Sequence, residues 1–429
     1  MAKVQQKSEK ITAFGGIFFV LDKFDSILSS VIDSHLGLRS TLTGYQYSEI
    51  IRAIFSVFCC GGDCMEDLNL YLKDVLTERP HTRVPSADTV LRGIEELATE
   101  NISYTVEKTG NVYDFNTAEK LNQLLIKLLL ATGQLAEGGE YDVDFDHQFL
   151  EAEKYDSKRT YKGFDGYSPG VFTIGGLIAY LENRDGNANV RFHQQDTLER
   201  IFSNLESEDI HIRRARMDCG SCSHKIVETV EKHSEHFYIR ANNSSSLYDS
   251  LLALRGWQRQ EINGIEYELN SIITEKWEGK AYRLVIQRER RLDGEQDLWE
   301  GEYTYRCILT NDYTSTNREI VEFYNLRGGK ERIFDDMNNG FGWARLPKSF
   351  MAENTVFLLL TAIIRNFYKF LMDRLDTKAF GLKKTSRIKA FVFKFISVPA
   401  KWIRTARHYQ LNIYTDNKSY QNPFAFTDG

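Results

Sequence analysis

The chain has 429 residues, 42% of them hydrophobic and 27% charged, with a formal net charge of −6. That length exceeds one typical domain and predicts two to four structural units with sizeable cores, in a chain that reads as soluble and globular. A net acidic charge taken alone argues against a nucleic-acid partner, but residues 341–429 hold fifteen Lys plus Arg against five Asp plus Glu, a local +10 that leaves −16 for residues 1–340. Phosphate binding depends on local charge, so the basic end is the asymmetry to follow; a solvated, Lys-rich helical surface would give the same count.

The N-terminal stretch MAKVQQKSEKITAFGG lacks the basic-then-apolar order of a signal peptide. The longest apolar run, near Val356 to Ile364, is interrupted by Thr361 and closed by Arg365, which is short of a membrane span and predicts a buried helix. Six cysteines without a secretion signal suggest reduced thiols and a cytoplasmic setting. The single C-x-x-C, Cys219 to Cys222, has no second pair at zinc-site spacing and is weak as a metal or redox motif.

In chain order, the first part reads helical. YQYSEIIRAIFSVFCCGG stops at Gly61-Gly62, and DCMEDLNLYLKDVL restarts with Asp63 as a candidate cap. PSADTVLRGIEEL opens at Pro85-Ser86, and NTAEKLNQLLIKLLLATG has Asn116 and Glu119 at capping-box spacing. After Glu137-Gly138-Gly139 the period changes to two. YDVDFDHQF, GVFTIGGLIAYL and NVRFH are strand candidates, with a hairpin turn expected at Asn183-Arg184-Asp185-Gly186. DTLERIFSNLES follows as a helix with Asp196 as its expected cap, then the strand HIRRARMD, the helix SCSHKIVETVEKH and the strand HFYIRA. This order predicts a mixed sheet with helices on its faces, in which the strand carrying Asp146 lies beside the one ending at Asp218. A β-rich insertion is expected over about 246–317, and helical spacing resumes in STNREIVEFYNLRGGKERIFDDMNNGFG.

In YDVDFDHQF, alternation puts Asp142, Asp144 and Asp146 on one face of a strand. Their mutual repulsion requires a bound cation, a basic neighbour or water. Asp146, Asp218 and Glu331 are the acids that could serve phosphoryl transfer on DNA, for which two hard divalent cations held by a few carboxylates suffice. Tyr324, Arg327 and Glu331 stand at i, i+3 and i+7, so on a continuous helix they share a face. Arg327 could then grip a phosphate and Tyr324 donate to another, although an exposed Arg–Glu pair has the same spacing.

These residues carry a resemblance. CCGGDCMEDL, PSADTVLRGIEEL, the Asp144-Phe145-Asp146 strand, MDCGS at Asp218 and YNLRGGKE at Glu331 resemble a DDE transposase of bacterial insertion sequences. More narrowly the chain resembles insertion-sequence family 1380, related to the family-four group with its Tyr-(2)-Arg-(3)-Glu-(6)-Lys signature.

The resemblance implies a mixed α/β architecture: a ribonuclease H-like catalytic domain over 137–375, broken by the β-rich insertion. A helical DNA-binding or dimerisation region, all-α, would occupy 1–136 and a basic region 376–429. It implies Asp146 or Asp144, with Asp218 and Glu331, as catalytic acids, and Mg²⁺ or Mn²⁺, two ions, as cofactor. Tyr324, Arg327, Lys330 and Asn338 would touch DNA, and the basic clusters Lys154, Lys158, Arg159, Lys162 and Arg213, Arg214, Arg216 could flank the site and hold DNA backbone. An aromatic of the insertion, Trp299 first and Trp277 second, would stack on a flipped base. The signature lysine position is Asn338 here, and His147-Gln148 follows Asp146 where small residues are usual, so Asp144 and Asp146 both remain open. The expected activity is cleavage at terminal inverted repeats of double-stranded DNA and 3′-OH strand transfer into target DNA, by a homodimer in the cytoplasm with no membrane partner. A metal-dependent nuclease and an inert DNA-binding descendant are the rivals, with a zinc- or redox-linked regulator through Cys219 and Cys222 a weaker third.

Overall fold

The computed structural model describes residues 2–40, 42–241, 250–277, 279–290 and 303–424, with the backbone alone at Lys330. The front of the chain folds into α1 (Gly16–Ile27), α2 (Ser29–Leu36), α3 (Tyr47–Cys59), α4 (Lys73–Thr77) and α5 (Ala87–Glu96). A capping box of Gln46 and Glu49 starts α3, and the chain leaves it through Gly61 at φ +86°, a conformation glycine adopts without penalty. Ser86 caps α5 by accepting from the Thr89 backbone N–H. The expected Asp63 cap is replaced: the Asp67 carboxylate accepts from the backbone N–H groups of Asp63 and Cys64.

The all-α expectation for the front holds through α5. Residues 102–116 then depart from it, forming the hairpin β1 (Ile102–Thr105) and β2 (Val112–Asn116). Asn116 ends β2 and donates to the Thr99 carbonyl, so it does not cap α6 (Glu119–Ala131), which begins after Ala118 in the left-handed region.

The chain continues as β3 (Glu140–His147), β4 (Leu150–Glu151), β5 (Lys158–Arg159), β6 (Asp165–Tyr167), β7 (Gly170–Ile174), β8 (Leu177–Arg184), α7 (Gln194–Ser207), β9 (His211–Met217), α8 (His224–His233) and β10 (Ser234–Arg240). The hairpin turn lies at Gly175-Gly176, both at positive φ, and β8 runs through Arg184. NVRFH is therefore not a strand; LIAYLENR is the third strand of the unit, paired to GVFTI. The expected order of three strands, helix, strand, helix, strand survives with different occupants.

The insertion supplies β11 (Gln258–Ile262), β12 (Ile265–Trp277), β13 (Lys280–Arg290) and β14 (Tyr303–Thr310). After it come α9 (Asn317–Asn325), a 3₁₀ turn over Leu326–Gly329, α10 (Lys330–Gly340), α11 (Met351–Arg374), α12 (Ile388–Phe391), β15 (Ala400–Thr405) and β16 (His408–Ile413).

Eleven strands form one sheet, ordered β1-β2-β8-β7-β3-β9-β10-β14-β13-β12-β11. β3 runs antiparallel to β7 and parallel to β9, and β9 parallel to β10. That central run β8-β7-β3-β9-β10, with α7 and α8 as crossovers, is the ribonuclease H-like arrangement within a mixed α/β fold. The insertion lengthens this sheet through β14 on β10, and the β1–β2 hairpin lengthens its other side through β8.

Ile126 and Leu129 of α6 join the apolar residues of α7, α8 and one face of the sheet in one core cluster. A second joins the front helices, α11 and the C-terminal region, with Phe24, Phe55, Phe367 and Phe395 among its members. α11 is long and apolar enough to cross a membrane, yet nearly all its side chains are buried inside the protein, as expected for a central core helix.

Candidate active site

The period-two row on β3 meets a matching row on β9. Asp142 is the Cα partner of Arg214, and Asp144 of Arg216. Each pair closes through side chains: Arg214 Nε donates to Asp142 at 2.7 Å, and Arg216 donates to both Asp144 oxygens at 2.9 Å. Both guanidinium groups lie over the Phe323 ring, at 3.8 and 4.4 Å, which fixes their planes. Basic neighbours are thus what offsets the repulsion at the first two rungs. Asp142 is held by Arg214.

The third rung is different. From Phe145 opposite Met217 the next step places Asp146 beside Asp218, and Asp218 remains extended at φ −80°, ψ −177°, so the alternation carries through it. The row on β9 therefore reads Arg214, Arg216, Asp218, and at its last position a carboxylate stands where the pattern calls for a cation. Two acids on one rung repel. The missing positive charge arrives from elsewhere in the chain: Arg327 Nη2 reaches Asp146 Oδ2 at 2.6 Å. Burial works against the charge of Arg327, but Asp146, Tyr324 and Asp218 outweigh it and hold its pKa above the ordinary value. Its Nε is buried without a hydrogen-bond partner, so the guanidinium fork is not fully used, in contrast to Arg216.

Arg327 gets there because the helix carrying it is broken. α9 ends at Asn325 and the 3₁₀ turn intervenes before α10, so Tyr324, Arg327 and Glu331 do not share one continuous α-helical face as their spacing predicted. Tyr324 donates to the Met217 carbonyl at 3.0 Å, and burial pushes its phenol up to about 12. Glu331 lies in the first turn of α10 and is exposed. Among the described residues, the ligand atoms of Asp146, Asp218 and Glu331 are not all within 4.8 Å of one another; the trio that is, Asp63, Cys64 and Asp67, is the turn that starts the 64–72 segment.

Small residues make room at the rung. A Cβ at Gly220 would stand 2.9 Å from Val190 Cγ2 and 3.0 Å from Asp218 Oδ1, so the Asp218 carboxylate lies directly over that glycine. His147, beside Asp146, meets Arg184 at 2.7 Å from its Nε2. A guanidinium always donates, so that imidazole nitrogen is the acceptor. Arg184 is fully buried and also donates to the carbonyls of Asn189 and Val190, so His147 belongs to a packed polar layer behind the rung.

The other sequence candidates separate. Lys158 and Arg159 are exposed on β5. Asn338 is half-buried, with Oδ1 lacking a hydrogen-bond partner, beside a cavity lined by Gly62, Asp63 and Arg345. Trp277 is a packing residue, stacked on His224 at 5.6 Å and set against the sheet core. Trp299 and the Lys330 side chain lie outside the described residues. Arg214 and Arg216, two arginines the charge pattern had offered to DNA, are committed to the carboxylates of β3. Cys219 is exposed and Cys222 buried, and among the described residues neither belongs to a three-ligand group. Sequence reading missed the Asp–Arg ladder, although the signal was present: DVDFD and RRARMD have the same period.

The acids at the rung suit a hard divalent cation in donor chemistry, all of them carboxylate oxygens. Arg327 supplies one positive charge there, paired with Asp146.

Residues 137–367, more than half of the chain, match the family described as Transposase DDE domain. No curated protein matches the chain. Among solved structures, the cryo-EM structure of the piggyBac transposase synaptic complex with hairpin DNA is similar at a TM-score of 0.43 and 11% identity, covering 89% of this chain and 79% of that one.

Proposed function

Because the chain belongs to the family of transposase DDE domains, we propose that it cleaves DNA at the inverted-repeat ends of a mobile element and joins the freed 3′-OH to target DNA. The observation that carries this reading is the ion pair of Arg327 with Asp146 at the end of an otherwise neutralised ladder, one step past the Phe145–Met217 pair that leads on to Asp218. Asp146, Asp218 and Glu331 would hold Mg²⁺ or Mn²⁺, two ions. Such ions supply Lewis acidity to the attacking and leaving oxygens of an in-line displacement.

The chain's own residues do the rest by positioning. Asp144, neutralised and buried by Arg216, would support the strand, which favours Asp146 as the first acid of the group. Arg327, once Asp146 no longer needs it, is free to bind a DNA phosphate with its planar fork. Tyr324 keeps its turn docked on Met217. The 3₁₀ segment lets α10 bring Glu331 toward the rung when DNA is bound, since a 3₁₀ stretch inside a helix is a common hinge.

The match of motifs to insertion-sequence family 1380, double-stranded transposon ends and target DNA as partners, a homodimer at synapsis, and the division into 1–136, 137–375 and 376–429 all belong to this proposal. The test is direct. Purified protein is incubated with Mg²⁺ and linear DNA carrying the element's own ends, and end-specific cleavage and joining are read on a gel. Both should vanish in Asp218→Asn and Glu331→Gln, and activity surviving either substitution would sink the assignment. Cleavage without joining would favour a nuclease.

A further inference from the structure

The hairpin that carries Asp146 does not stop at the sheet. Asp146 pairs with Val171 and His147 with Gly170, Gln148 N–H donates to the Pro169 carbonyl, and Leu150 pairs with Tyr167. β4, β6 and β5 thus form a small three-stranded sheet that continues outward from the catalytic rung. At about 3.3 Å per residue, Phe149 stands roughly 10 Å along the chain from Asp146.

The tip of this extension has an unusual surface. Residues 157–164, SKRTYKGF, contain three cations, two aromatic rings and no carboxylate. Tyr161 is 79% exposed. Its ring meets Phe149 edge-on at 4.9 Å, and Lys162 Nζ lies 5.0 Å from the Phe149 ring centre. Lys158 and Arg159 are exposed on the adjoining strand, where Arg159 lies 3.8 Å from the Asp165 carboxylate in a solvated pair that a phosphate can replace. Burying a tyrosine would stabilise the chain by its apolar area; this one, left in water against a second ring with Lys162 beside that ring, gains little of it.

We infer that this tip is a binding surface for single-stranded DNA, with the face of Tyr161 stacking on an unpaired base and Lys158, Arg159 and Lys162 holding the flanking phosphates. Aromatic rings interleaved with cations are the chemistry that grips a single strand, because every base has a π-face and every linkage a charge. A duplex offers the cations its phosphates but keeps its bases stacked away from Tyr161. The inference rests on the DNA-processing reading above and adds a strand preference to it. It places unpaired nucleotides within reach of Asp146.

The test compares full-length wild-type protein with Tyr161→Ala, Tyr161→Phe and the triple Lys158→Ala/Arg159→Ala/Lys162→Ala variant, using fluorescence anisotropy on a short oligothymidylate and on a duplex without unpaired ends. Tyr161→Ala should weaken single-strand binding by about tenfold, within the range found when one stacked base loses its aromatic partner, and leave duplex binding nearly unchanged. Tyr161→Phe should restore it. The triple variant should weaken both and lower the salt dependence on the single strand by about 2 in log–log slope. All four residues are exposed, so an unchanged melting temperature confirms folding.

Equal losses on both DNAs in Tyr161→Ala, no loss on either, or no single-strand binding by the wild type would overturn the inference. So would tighter binding to an oligouridylate RNA than to the DNA, which would point to a different partner. End cleavage by the wild type, measured in parallel, distinguishes these results from failure of the transposase reading.

Discussion

Arg327 lies 2.6 Å from Asp146, one residue past the last pair of β3 and β9, Phe145 with Met217, after which both strands continue into an aspartate. On the proposed reading a divalent cation would answer the same electrostatic need as the guanidinium at this place. Replacing Arg327 by Ala should therefore lower stability in EDTA by about 2 kcal/mol, the usual cost of leaving a partly buried charged group without its partner. Mn²⁺ should restore most of it, and calorimetry should show tighter Mn²⁺ binding than in the wild type. Unchanged affinity would mean that the two charges do not share the site.

Asp144 and Asp146 should answer differently to the same change. Asp144 and Arg216 are each only 8% exposed, and Asp144→Asn would leave Arg216 buried without its counter-charge. A loss of about 3–5 kcal/mol in urea unfolding is expected, with Mn²⁺ affinity retained by the folded fraction. Asp146→Asn should cost less stability and abolish the affinity. The reverse pattern would hand the catalytic role to Asp144.

Glu331 is exposed in the first turn of α10. Glu331→Gln should shift stability by no more than about 0.5 kcal/mol, as surface substitutions do. Its effect on end cleavage should be at least about a hundredfold, because a charge that helps hold the cations is worth several kcal/mol. A proportional loss of both would make Glu331 structural.

Gly220 bears on Asp218 by contact. A side chain there must displace either Val190 or the Asp218 carboxylate. Gly220→Val is expected to reduce cleavage far more than it lowers the melting temperature, and the two measured on one preparation decide the matter.

Asp185 gives a pH dependence unrelated to the acids of the rung. Burial pushes its carboxyl up to about 6 from an ordinary 3.8, although Oδ2 accepts from the Asp114 N–H. A raised acid pKa means that the folded chain binds the proton more tightly than the unfolded one. The contribution is therefore full at low pH and is lost as pH rises through about 6. Between pH 4 and pH 7 the wild type should lose stability relative to Asp185→Asn, whose amide can accept the same N–H. Parallel pH profiles for the two proteins would refute this.

Much of the site was legible in the chain because it depends on period and spacing. The alternation in DVDFD put the acids of β3 on one face, and the order of strands and helices placed Asp146 next to Asp218. Elements went wrong where a local signal competed with a tertiary one. Asn183 to Gly186 has turn chemistry, yet β8 runs through Arg184 because its guanidinium is buried against backbone carbonyls and His147. Asn116 has capping chemistry, yet pairing with β8 draws it into the sheet. Tyr324, Arg327 and Glu331 have helical spacing, yet Gly328 and Gly329 let the helix tighten into a 3₁₀ turn between them.

The sequence by itself determined which residues were available: a row of acids, a second row ending in Asp218, and an arginine and glutamate on a later segment. Only the tertiary structure decided how they pair. Period-two alternation is local and can be read from the letters, whereas register between β3 and β9 is set by packing of the whole sheet. That register spends Arg214 and Arg216 on Asp142 and Asp144, and leaves Asp146 and Asp218 as the one rung where a further positive charge is required.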